Sequence, residues 1–487
     1  MGDSRSSFYW YDLETTGTDS KWDRIVQFAG LRTDLELNEI GDVENLYVQL
    51  PDDVLPNPDA ALVTGITPEL TAERGVSEWR ALRRIHALFA EPQTCVSGFN
   101  SLRFDDEFIR QGFYRNLMDP YAREWQNGNS RWDIMDLVRA TGALRRDGIE
   151  WPVDDAGLPV YKLERLTVAN GLEHGNAHDA LSDVRATVAL ARLIRTAQPK
   201  LFEYYLGCRS RKQIRALLEP YGARLCVHVS GMYPRERFGI APVISIGRHP
   251  TNGNAIIVAD LSQDIENLIE WPEDRIRAEL YKPANPERPP LKEVRINRCP
   301  FVAGIEVLTD ENWARLGCRK RDVEERSRRL RKPGIAQKIL RVFTPRPHEA
   351  PVDPEGALYD AFIEDADRSR SLALQRALEA GGWQNLDFSD RRLRELAGRL
   401  KARSFPQLLS DGERADWHAF VRDKLTATGP WLGIAAYRAR IAELRAARAT
   451  ADPGSADTLP ESAARRDLEI LDALVAHGGR LARDYSI

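Results

Sequence analysis

The feature that most constrains the fold is a change of pattern along the chain. Up to about residue 198, short runs rich in β-branched and aromatic residues alternate with helical segments, which is typical of an α/β domain with a mixed sheet. The next segment is richer in strand signals, and after Ala357 the chain reads as helices rich in Ala, Arg, Leu and Glu. At roughly 150 residues per domain, the 487 residues predict three domains. We place them at 8–198, 199–350 and 353–487.

Within the first unit, individual elements can be assigned from periodicity and turn residues. The predicted strands are 8–14, 24–34, 45–50 and 94–100. The predicted helices are 77–90, 105–117, 130–144 and 178–197. In the middle unit, strands are predicted at 224–233, 241–249 and 254–261.

Composition excludes several classes of protein. With 43% hydrophobic and 29% charged residues, the chain is typical of a globular protein and not of a disordered one. It does not begin like a signal peptide, and no window approaches ~18 apolar residues, so we expect no membrane association. The cysteines are odd in number, widely spread and without a C-x-x-C pair, which disfavours a disulfide framework or zinc site and favours the cytoplasm. They are Cys95, Cys208, Cys226, Cys299 and Cys318.

Charge is unevenly distributed although the net charge is only −4. Segment 199–350 holds 28 Lys and Arg against 19 Asp and Glu, whereas the rest of the chain holds 41 against 54. A basic middle segment in an acidic protein fits a surface for a polyanion such as nucleic acid, and it fits a merely solvated basic surface equally well.

A pair of acids closes the first predicted strand. Asp12 and Glu14 are two positions apart, and side chains at i and i+2 of a strand point to the same face. Two carboxylates held together repel each other unless a cation lies between them, and hard oxygen ligands suit Mg²⁺ or Mn²⁺. The pair therefore indicates a metal site, while a solvated strand end before the turn at Gly17 is the competing interpretation.

Further acids follow the strand at 94–100. Asp106 and Glu107 are explained by the preference for acids in the first turn of a helix. The placement of Asp105 directly after Phe104, beside a Gly-Phe-Asn turn, is not explained in that way.

The last element of interest is a histidine followed by an acid. His178 and Asp183 are five residues apart, so on one continuous helix they would lie about 140° apart. If His178 lies in the loop at the helix start and Asp183 one turn inside, both can reach one point. An Asp among the apolar residues of this helix also requires a cation or a donor, because an unpaired buried carboxylate is costly.

The order of these motifs, D-x-E, then F-D, then H-x-x-x-x-D, resembles the DEDD exonuclease superfamily in its histidine variant. The Gly-Ile-Thr at 65–67 fits it too. Longer stretches resemble the exodeoxyribonuclease I family, among them FNSLRFDDE, FYRNLMDPYAREWQNGNSRWDIMDLVRA, GLPVYKLERLTVANGLEHGNAHDA and ALYDAFIEDADR. The resemblance covers most of the chain and is weakest around 436–465. It implies an RNase H-like exonuclease domain with a mixed sheet, an SH3-like β-barrel domain and an all-helical C-terminal domain.

The resemblance also implies an activity and site residues. The activity is 3′–5′ hydrolysis of single-stranded DNA to 5′-mononucleotides, in DNA repair and recombination, with two Mg²⁺ ions per site and Mn²⁺ as a substitute. The residues that match the metal-binding carboxylates are Asp12, Glu14, Asp105 and Asp183, and His178 matches the catalytic histidine. Glu14 would also contact the terminal 3′ hydroxyl.

The residues that match the DNA path are Arg110, Tyr121, Trp125, Arg139 and Asn176. Lys162 stands where the family is expected to carry an arginine, and a lysine keeps the charge but loses the bidentate fork. The implied partners are single-stranded DNA and the acidic C-terminal tail of single-stranded DNA-binding protein, and the implied state is a monomer.

Aromatic and basic residues alternate between positions 110 and 132. Stacking rings interleaved with phosphate-binding cations would form a platform for single strands. The aromatic members are Phe113, Tyr114, Tyr121, Trp125 and Trp132, and the basic members are Arg110, Arg115, Arg123 and Arg131. An aromatic core with a charged exterior is the competing interpretation, and we favour it for Phe113 and Trp132.

Two other functions compete with this one. An RNA-trimming enzyme with the same catalytic domain, like oligoribonuclease, is disfavoured by the long basic and helical extensions. A nucleic-acid-binding scaffold with an inactive site is disfavoured because all five catalytic positions are filled.

Overall fold

The computed structural model describes residues 6–172, 180–283, 285–343, 353–449 and 461–487. The strands in these ranges are β1 Ser7–Thr15, β2 Ile25–Thr33, β3 Glu39–Tyr47, β4 Thr94–Gly98, β5 Ser130–Asp133, β6 Leu225–Val229, β7 Ile240–Arg248, β8 Ala255–Asp260, β9 Leu291–Arg295 and β10 Val302–Gly304.

The α-helices of the first unit are α1 Pro58–Thr64, α2 Pro68–Arg74, α3 Glu78–Ala90, α4 Asp105–Arg115, α5 Met135–Leu144, α6 Leu163–Ala169 and α7 Ala180–Ala197. Those of the middle segment are α8 Pro199–Gly207, α9 Arg211–Leu218, α10 Glu266–Glu270, α11 Glu273–Tyr281, α12 Asp310–Leu316, α13 Lys320–Leu330 and α14 Ile335–Val342. The last helices are α15 Asp365–Glu379, α16 Arg391–Ser404, α17 Asp411–Thr426, α18 Ile434–Ala449 and α19 Glu461–Asp484.

The first sheet is mixed, as the alternating pattern predicted. Its strand order is β3-β2-β1-β4-β5, with β1, β2 and β3 antiparallel and β1, β4 and β5 parallel. All of β2 is buried, which explains its nearly continuous apolar sequence. Strand β1 lies in the centre of the sheet between β2 and β4, so its backbone is fixed by a paired strand on each side.

Two elements of this unit differ from the sequence prediction. The segment 130–144 was expected to be one helix, but its first four residues form the edge strand β5, parallel to β4. The strand forms because Trp132 is fully buried between Trp10 and Phe202, with ring centroids 6.2 and 5.3 Å away. Strand β3 begins at Glu39 and ends at Tyr47, earlier than expected, because its largely exposed face gives little hydrophobic signal.

The middle segment contains a second sheet, with the antiparallel order β10-β6-β7-β8-β9. The three predicted strands correspond to β6, β7 and β8, and the short strands β9 and β10 were not anticipated. In the part of the chain that the structure describes, no closed barrel is seen. The helix α8 lies between the sheets, since Tyr205 packs against Trp132 of the first and Phe301 of the second.

The C-terminal segment is helical, as predicted, and shares its core with the first unit. Leu374 and Leu396 belong to one buried cluster with Phe28 and Phe89, while Tyr437 shares another with Leu55. Across the described ranges, no helix is both long enough and apolar enough to span a membrane.

Candidate active site

Three carboxylates meet at the end of the central strand. Asp12 and Glu14 lie on the same face of β1 and are half-buried. Helix α7 packs against β1 and β2 through Val184 and Val188, and this packing brings Asp183, in its first turn, to the same place. Ligand oxygens of Asp12, Glu14 and Asp183 all lie within 4.8 Å of one another. The first and third acidic motifs therefore converge.

Asp105, the first residue of α4, is the fourth acid near this strand end. It is not a member of the group of three, but its carboxylate accepts a backbone hydrogen bond from Leu13, between Asp12 and Glu14 in sequence. It is 4% exposed, and burial raises its pKa well above the usual range.

The turn before α4 is held by an acid that sequence reasoning missed. The Asp133 carboxylate accepts hydrogen bonds from the backbone N–H groups of Asn100 at 2.9 Å, Leu102 at 3.1 Å and Met135 at 2.8 Å. Asn100 adopts φ +63°, a conformation that asparagine tolerates better than most residues. Asp133 is the last residue of β5, a strand that the sequence analysis placed inside a helix, so no local signal singled it out.

The electrostatics of the site favour a cation. The pKa of Asp12 is raised well above its usual range by burial and by the neighbouring carboxylates of Asp105, Glu14 and Asp183. Four oxygen-donor side chains that mutually disfavour their charged forms fit a hard divalent ion such as Mg²⁺, which would offset this repulsion.

The adjacent acid, Asp106, has the opposite environment. Its carboxylate accepts hydrogen bonds from the Tyr11 hydroxyl at 2.9 Å and from Arg123 at 2.6 Å, and it also pairs with Arg131. These arginines hold the pKa of Asp106 well below its usual range despite complete burial. This arrangement supports the choice of Asp105 over Asp106 as the candidate ligand.

Two site residues of the sequence analysis, His178 and Asn176, lie outside the described residues. The expected convergence of His178 with Asp183 stays a prediction. Helix α7 does begin at Ala180, so Asp183 lies in its first turn.

The residues expected along the DNA path differ in accessibility. Tyr121 and Trp125 are 37% and 62% exposed and lie at the surface, as stacking would require. Arg110 is buried and bonded to Glu124 at 2.8 Å, with its guanidinium 5.7 Å from the Tyr121 ring centroid. Its environment favours support of Tyr121 over contact with a phosphate. Lys162 is exposed and lies immediately before α6.

The platform expected between 110 and 132 is smaller than the sequence suggested. Its remaining aromatic and basic members are buried in the core or in ion pairs, so they cannot stack on a strand or meet phosphates from the surface. These buried members are Phe113, Tyr114, Arg115, Arg123, Arg131 and Trp132. The core interpretation of Phe113 and Trp132 is confirmed, and it extends further than expected.

Glu107 joins three parts of the chain, which the sequence did not reveal. Its carboxylate pairs with Arg110 at 2.9 Å on the same helix, pairs with Arg298 at 2.6 Å from the middle segment, and accepts from the Tyr359 hydroxyl of the C-terminal segment.

Family models match nearly the whole chain in three consecutive parts. An exonuclease model matches 9–191, an exonuclease I SH3-like domain model matches 209–345, and an exonuclease I C-terminal domain model matches 352–479. The exodeoxyribonuclease I of Escherichia coli K12 is 42% identical over 433 residues, which span 87% of this chain and 91% of that enzyme. The chain belongs to the exodeoxyribonuclease I family.

Other comparisons agree with membership of the exodeoxyribonuclease I family. The Haemophilus influenzae enzyme is 43% identical over 432 residues, or 86% of this chain and 90% of that one. An oligoribonuclease of Francisella tularensis is 28% identical, but over only 196 residues, 39% of this chain and 96% of its own length.

Solved structures of exonuclease I match over the whole length. The E. coli exonuclease I in complex with a dA16 oligonucleotide has a TM-score of 0.89 and 38% identity, covering 98% of this chain and all of that chain (100%). A structure of SSB/Exonuclease I in complex with the inhibitor CFAM has a TM-score of 0.87 and 37% identity, with coverage of 98% and 100%. Together with the family models, these matches confirm the expected fold class: an exonuclease domain with a mixed sheet, an SH3-like domain and a helical C-terminal domain.

Proposed function

We propose that this member of the exodeoxyribonuclease I family removes 5′-mononucleotides from the 3′ end of single-stranded DNA. The observation that carries the proposal is the convergence of Asp12, Glu14 and Asp183 within 4.8 Å, with Asp105 against the same strand. Like charges held this close together at the end of a central strand, and partly removed from water, cost stability, and that cost is understandable if the acids bind metal.

The four carboxylates are the proposed metal ligands, with two Mg²⁺ ions per site and Mn²⁺ as a substitute. When bound, the ions supply Lewis-acid stabilisation of the charge that develops on the phosphate and on the leaving oxygen. At this metal site, Asp12 and Asp183 would orient the attacking water. Glu14 would also bind the terminal 3′ hydroxyl. His178 would accept the proton of the water, a role that suits histidine because its unperturbed pKa of roughly 6.5 lies near neutral pH.

Single-stranded DNA is the proposed substrate because the exposed rings of Tyr121 and Trp125 offer stacking surfaces that a paired base cannot use. The solved E. coli relative holding a dA16 oligonucleotide supports the same assignment. The other proposed contacts along the path are Lys162, Arg139 and Asn176, while Arg110 would act on the path by supporting Tyr121.

We extend the proposal to partners and setting. The tail of single-stranded DNA-binding protein is the proposed protein partner, supported by the solved SSB/Exonuclease I relative. The proposed setting is DNA repair and recombination by a monomer in the cytoplasm, where the five free cysteines would stay reduced. The proposed domain limits remain 8–198, 199–350 and 353–487.

The test is digestion of a 5′-labelled single-stranded oligonucleotide in Mg²⁺ by the wild type and by Asp183→Ala. A matched duplex and an RNA strand of the same sequence are digested in parallel. Glu203→Ala is the control, since this carboxylate is 61% exposed on α8. We expect a Mg²⁺-dependent ladder that shortens from the 3′ end, present in the wild type and the control and absent in Asp183→Ala.

Two results would contradict the proposal. Cleavage of RNA at a similar rate would make the enzyme a general 3′ trimmer. Binding of the strand without cleavage under any metal would make the chain a scaffold.

A further inference from the structure

The turn that leads into α4 folds back over the end of β4. A Cβ added to Gly98, the last residue of β4, would lie 2.7 Å from the Cβ of Ser101 and 2.9 Å from the backbone oxygen of Tyr11, so a larger residue would collide with the turn. The backbone oxygen of Ser101 accepts from the N–H of Asp106 at 2.9 Å, which joins the turn to the first residues of the helix. The position of α4 therefore depends on the shape of this turn.

One buried carboxylate holds the turn from the neighbouring strand. Asp133, at the end of β5, is 2% exposed, and both of its carboxylate oxygens accept from backbone N–H groups. Two of these donors, Asn100 and Leu102, belong to the turn, and the third, Met135, begins α5. Burial raises the pKa of Asp133 to about 6, and the Arg103 guanidinium limits the rise, so the group is ionised at neutral pH. An ionised carboxylate only accepts, so it can serve all three donors.

The turn ends at Asp105, the first residue of α4 and one of the four candidate ligands. At the strand end, the pKa of Asp12 is raised by Asp105 among other acids. Asp133 in turn raises the pKa of Asp105, so it lies close to that carboxylate. Its own oxygens are already occupied by the backbone donors. Asp133 is therefore placed to act on a bound ion through the turn and Asp105, and not as a ligand itself.

We propose that Asp133 is a positioning residue for the metal site, which fixes the turn at 99–104 and thereby the carboxylate of Asp105. The inference rests on the proposed function and adds to it the residue that sets the position of one ligand. Groups that orient the ligands of a metal commonly change metal affinity or activity by about 10- to 100-fold when they are replaced. The competing interpretation is that Asp133 only stabilises the fold.

The C-terminal domain contains a matched carboxylate that separates the two interpretations. Asp367 is 1% exposed, accepts from the N–H groups of Ser389 at 3.0 Å and Asp390 at 2.8 Å, and pairs with Arg370. It holds a turn in the same way as Asp133, but that turn carries none of the candidate ligands. Asp367→Asn is therefore the control for the loss of a buried carboxylate that holds a turn.

The experiment measures Mn²⁺ binding in the absence of DNA, from the electron paramagnetic resonance signal of the free ion. Asp133→Asn keeps one acceptor oxygen but turns an amide N–H₂ towards a backbone donor, and Asp133→Ala removes both acceptors. We expect the Mn²⁺ dissociation constant to rise about tenfold in Asp133→Asn and further in Asp133→Ala. It should keep the wild-type value in Asp367→Asn. Binding of fluorescein-labelled oligo(dT) in EDTA should be the same in all of these proteins.

A double variant tests whether the effect passes through Asp105. If it does, adding Asp133→Asn to Asp105→Asn should cause no further loss of Mn²⁺ affinity, although it should lower the melting temperature as much as Asp133→Asn does alone. In single-turnover cleavage with Mn²⁺ near its wild-type dissociation constant, Asp133→Asn should be about tenfold slower, and excess Mn²⁺ should restore part of the rate. Asp367→Asn should cleave at the wild-type rate at both concentrations.

Three results would overturn the proposal. The first is a wild-type Mn²⁺ affinity in both Asp133 variants. The second is an equal loss of Mn²⁺ affinity in Asp133→Asn and Asp367→Asn, which would trace the effect to stability alone. The third is a full additional loss in the double variant, which would mean that Asp133 acts independently of Asp105. If the Mn²⁺ affinities follow the expected order but the wild type does not cleave DNA, the proposed function alone is rejected.

Discussion

Two groups of acids in this molecule have opposite electrostatic surroundings. At the end of β1, Asp12 is surrounded by other carboxylates, and its pKa is raised. At the contact with the C-terminal domain, Asp53 accepts from Arg403 at 2.9 Å and from Lys424 at 2.7 Å, and its pKa is lowered. Glu355 lies in the same network, bonded to Arg403 and Arg399 and paired with Arg24.

The difference shows how structural and functional acids can be told apart. Both groups contain several acids that are wholly or partly removed from water, so residue type does not distinguish them. The presence of arginine and lysine partners does, because a carboxylate that is already neutralised has no need of a metal ion. Asp105 and Asp106 make the same contrast at adjacent positions of one helix.

The sharpest test of this contrast replaces Asp105 and Asp106 by asparagine, each in a separate variant. Asp105→Asn should lower the rate of cleavage by about a thousandfold or more, or ~4 kcal/mol, while leaving the free energy of unfolding nearly unchanged. Asp106→Asn should instead lower the free energy of unfolding by about 3 kcal/mol, because Arg123 and Arg131 lose their buried partner. Single-turnover kinetics and urea unfolding measure the two quantities. If both variants lose activity and stability in parallel, the distinction between the two acids is wrong.

A second test breaks the compensated network. Asp53→Asn should lower the free energy of unfolding by about 3 kcal/mol, because it leaves the buried Arg403 and Lys424 without their shared carboxylate. Below the unfolding transition, its rate of cleavage should match that of the wild type. An inactive but fully stable Asp53→Asn would contradict the assignment of this network to structure.

The same variant has a predictable pH dependence. The pKa of Asp53 is lowered in the folded state, mainly through Arg403 and Lys424 acting against burial, so its ionised form stabilises the fold at pH values above its unfolded pKa of about 3.9. This contribution is lost as the pH falls below that value. The difference in unfolding free energy between wild type and Asp53→Asn should therefore be constant near neutral pH and shrink in acid.

The smallest expected effect concerns metal binding. In the absence of DNA, Mg²⁺ at about a hundred times its dissociation constant should stabilise the wild type by about 2.7 kcal/mol. The double variant Asp12→Asn, Asp183→Asn should show no such increment, and in EDTA it should be at least as stable as the wild type because charge repulsion has been removed. Thermal unfolding with and without Mg²⁺ measures both effects, and Asp53→Asn, which should retain the increment, is the control.

Much of this architecture could be predicted from the sequence. The central strand, the mixed sheet, the helical C-terminal domain and the spacing of the acids all depend on local pattern, and the resemblance to the exodeoxyribonuclease I family linked them. The short strand β5 was missed because its four residues are followed almost at once by α5, without a Gly or Pro between them. Its stability comes from the burial of Trp132 against residues far away in sequence.

The sequence did not show which charged residues pair with each other in the fold. In the sequence, three arginines look like part of a DNA-binding surface: Arg115, Arg123 and Arg131. In the fold, each of them forms an ion pair with an acid from another segment. Likewise, Asp106 and Glu107 have the pattern of a helix start, while Arg123, Arg131 and Arg298, which pair with them, come from other segments. Pairing across long sequence separations is set by tertiary packing, which local pattern does not encode.

The position of α8 has a consequence for how this enzyme can be divided. The hydroxyl of Tyr205 lies within hydrogen-bonding distance of two backbone oxygens, that of Asp133, in the first sheet, at 3.0 Å and that of Cys299, beside the second, at 2.8 Å. One buried apolar cluster also runs from Trp132 through Phe202 to Phe301. A truncation after α7 would open this cluster to water, so the catalytic domain and the SH3-like domain should be expressed, purified and unfolded as one cooperative unit. The shortest useful fragment of this enzyme is therefore set by its shared interior and not by the limits of its catalytic motifs.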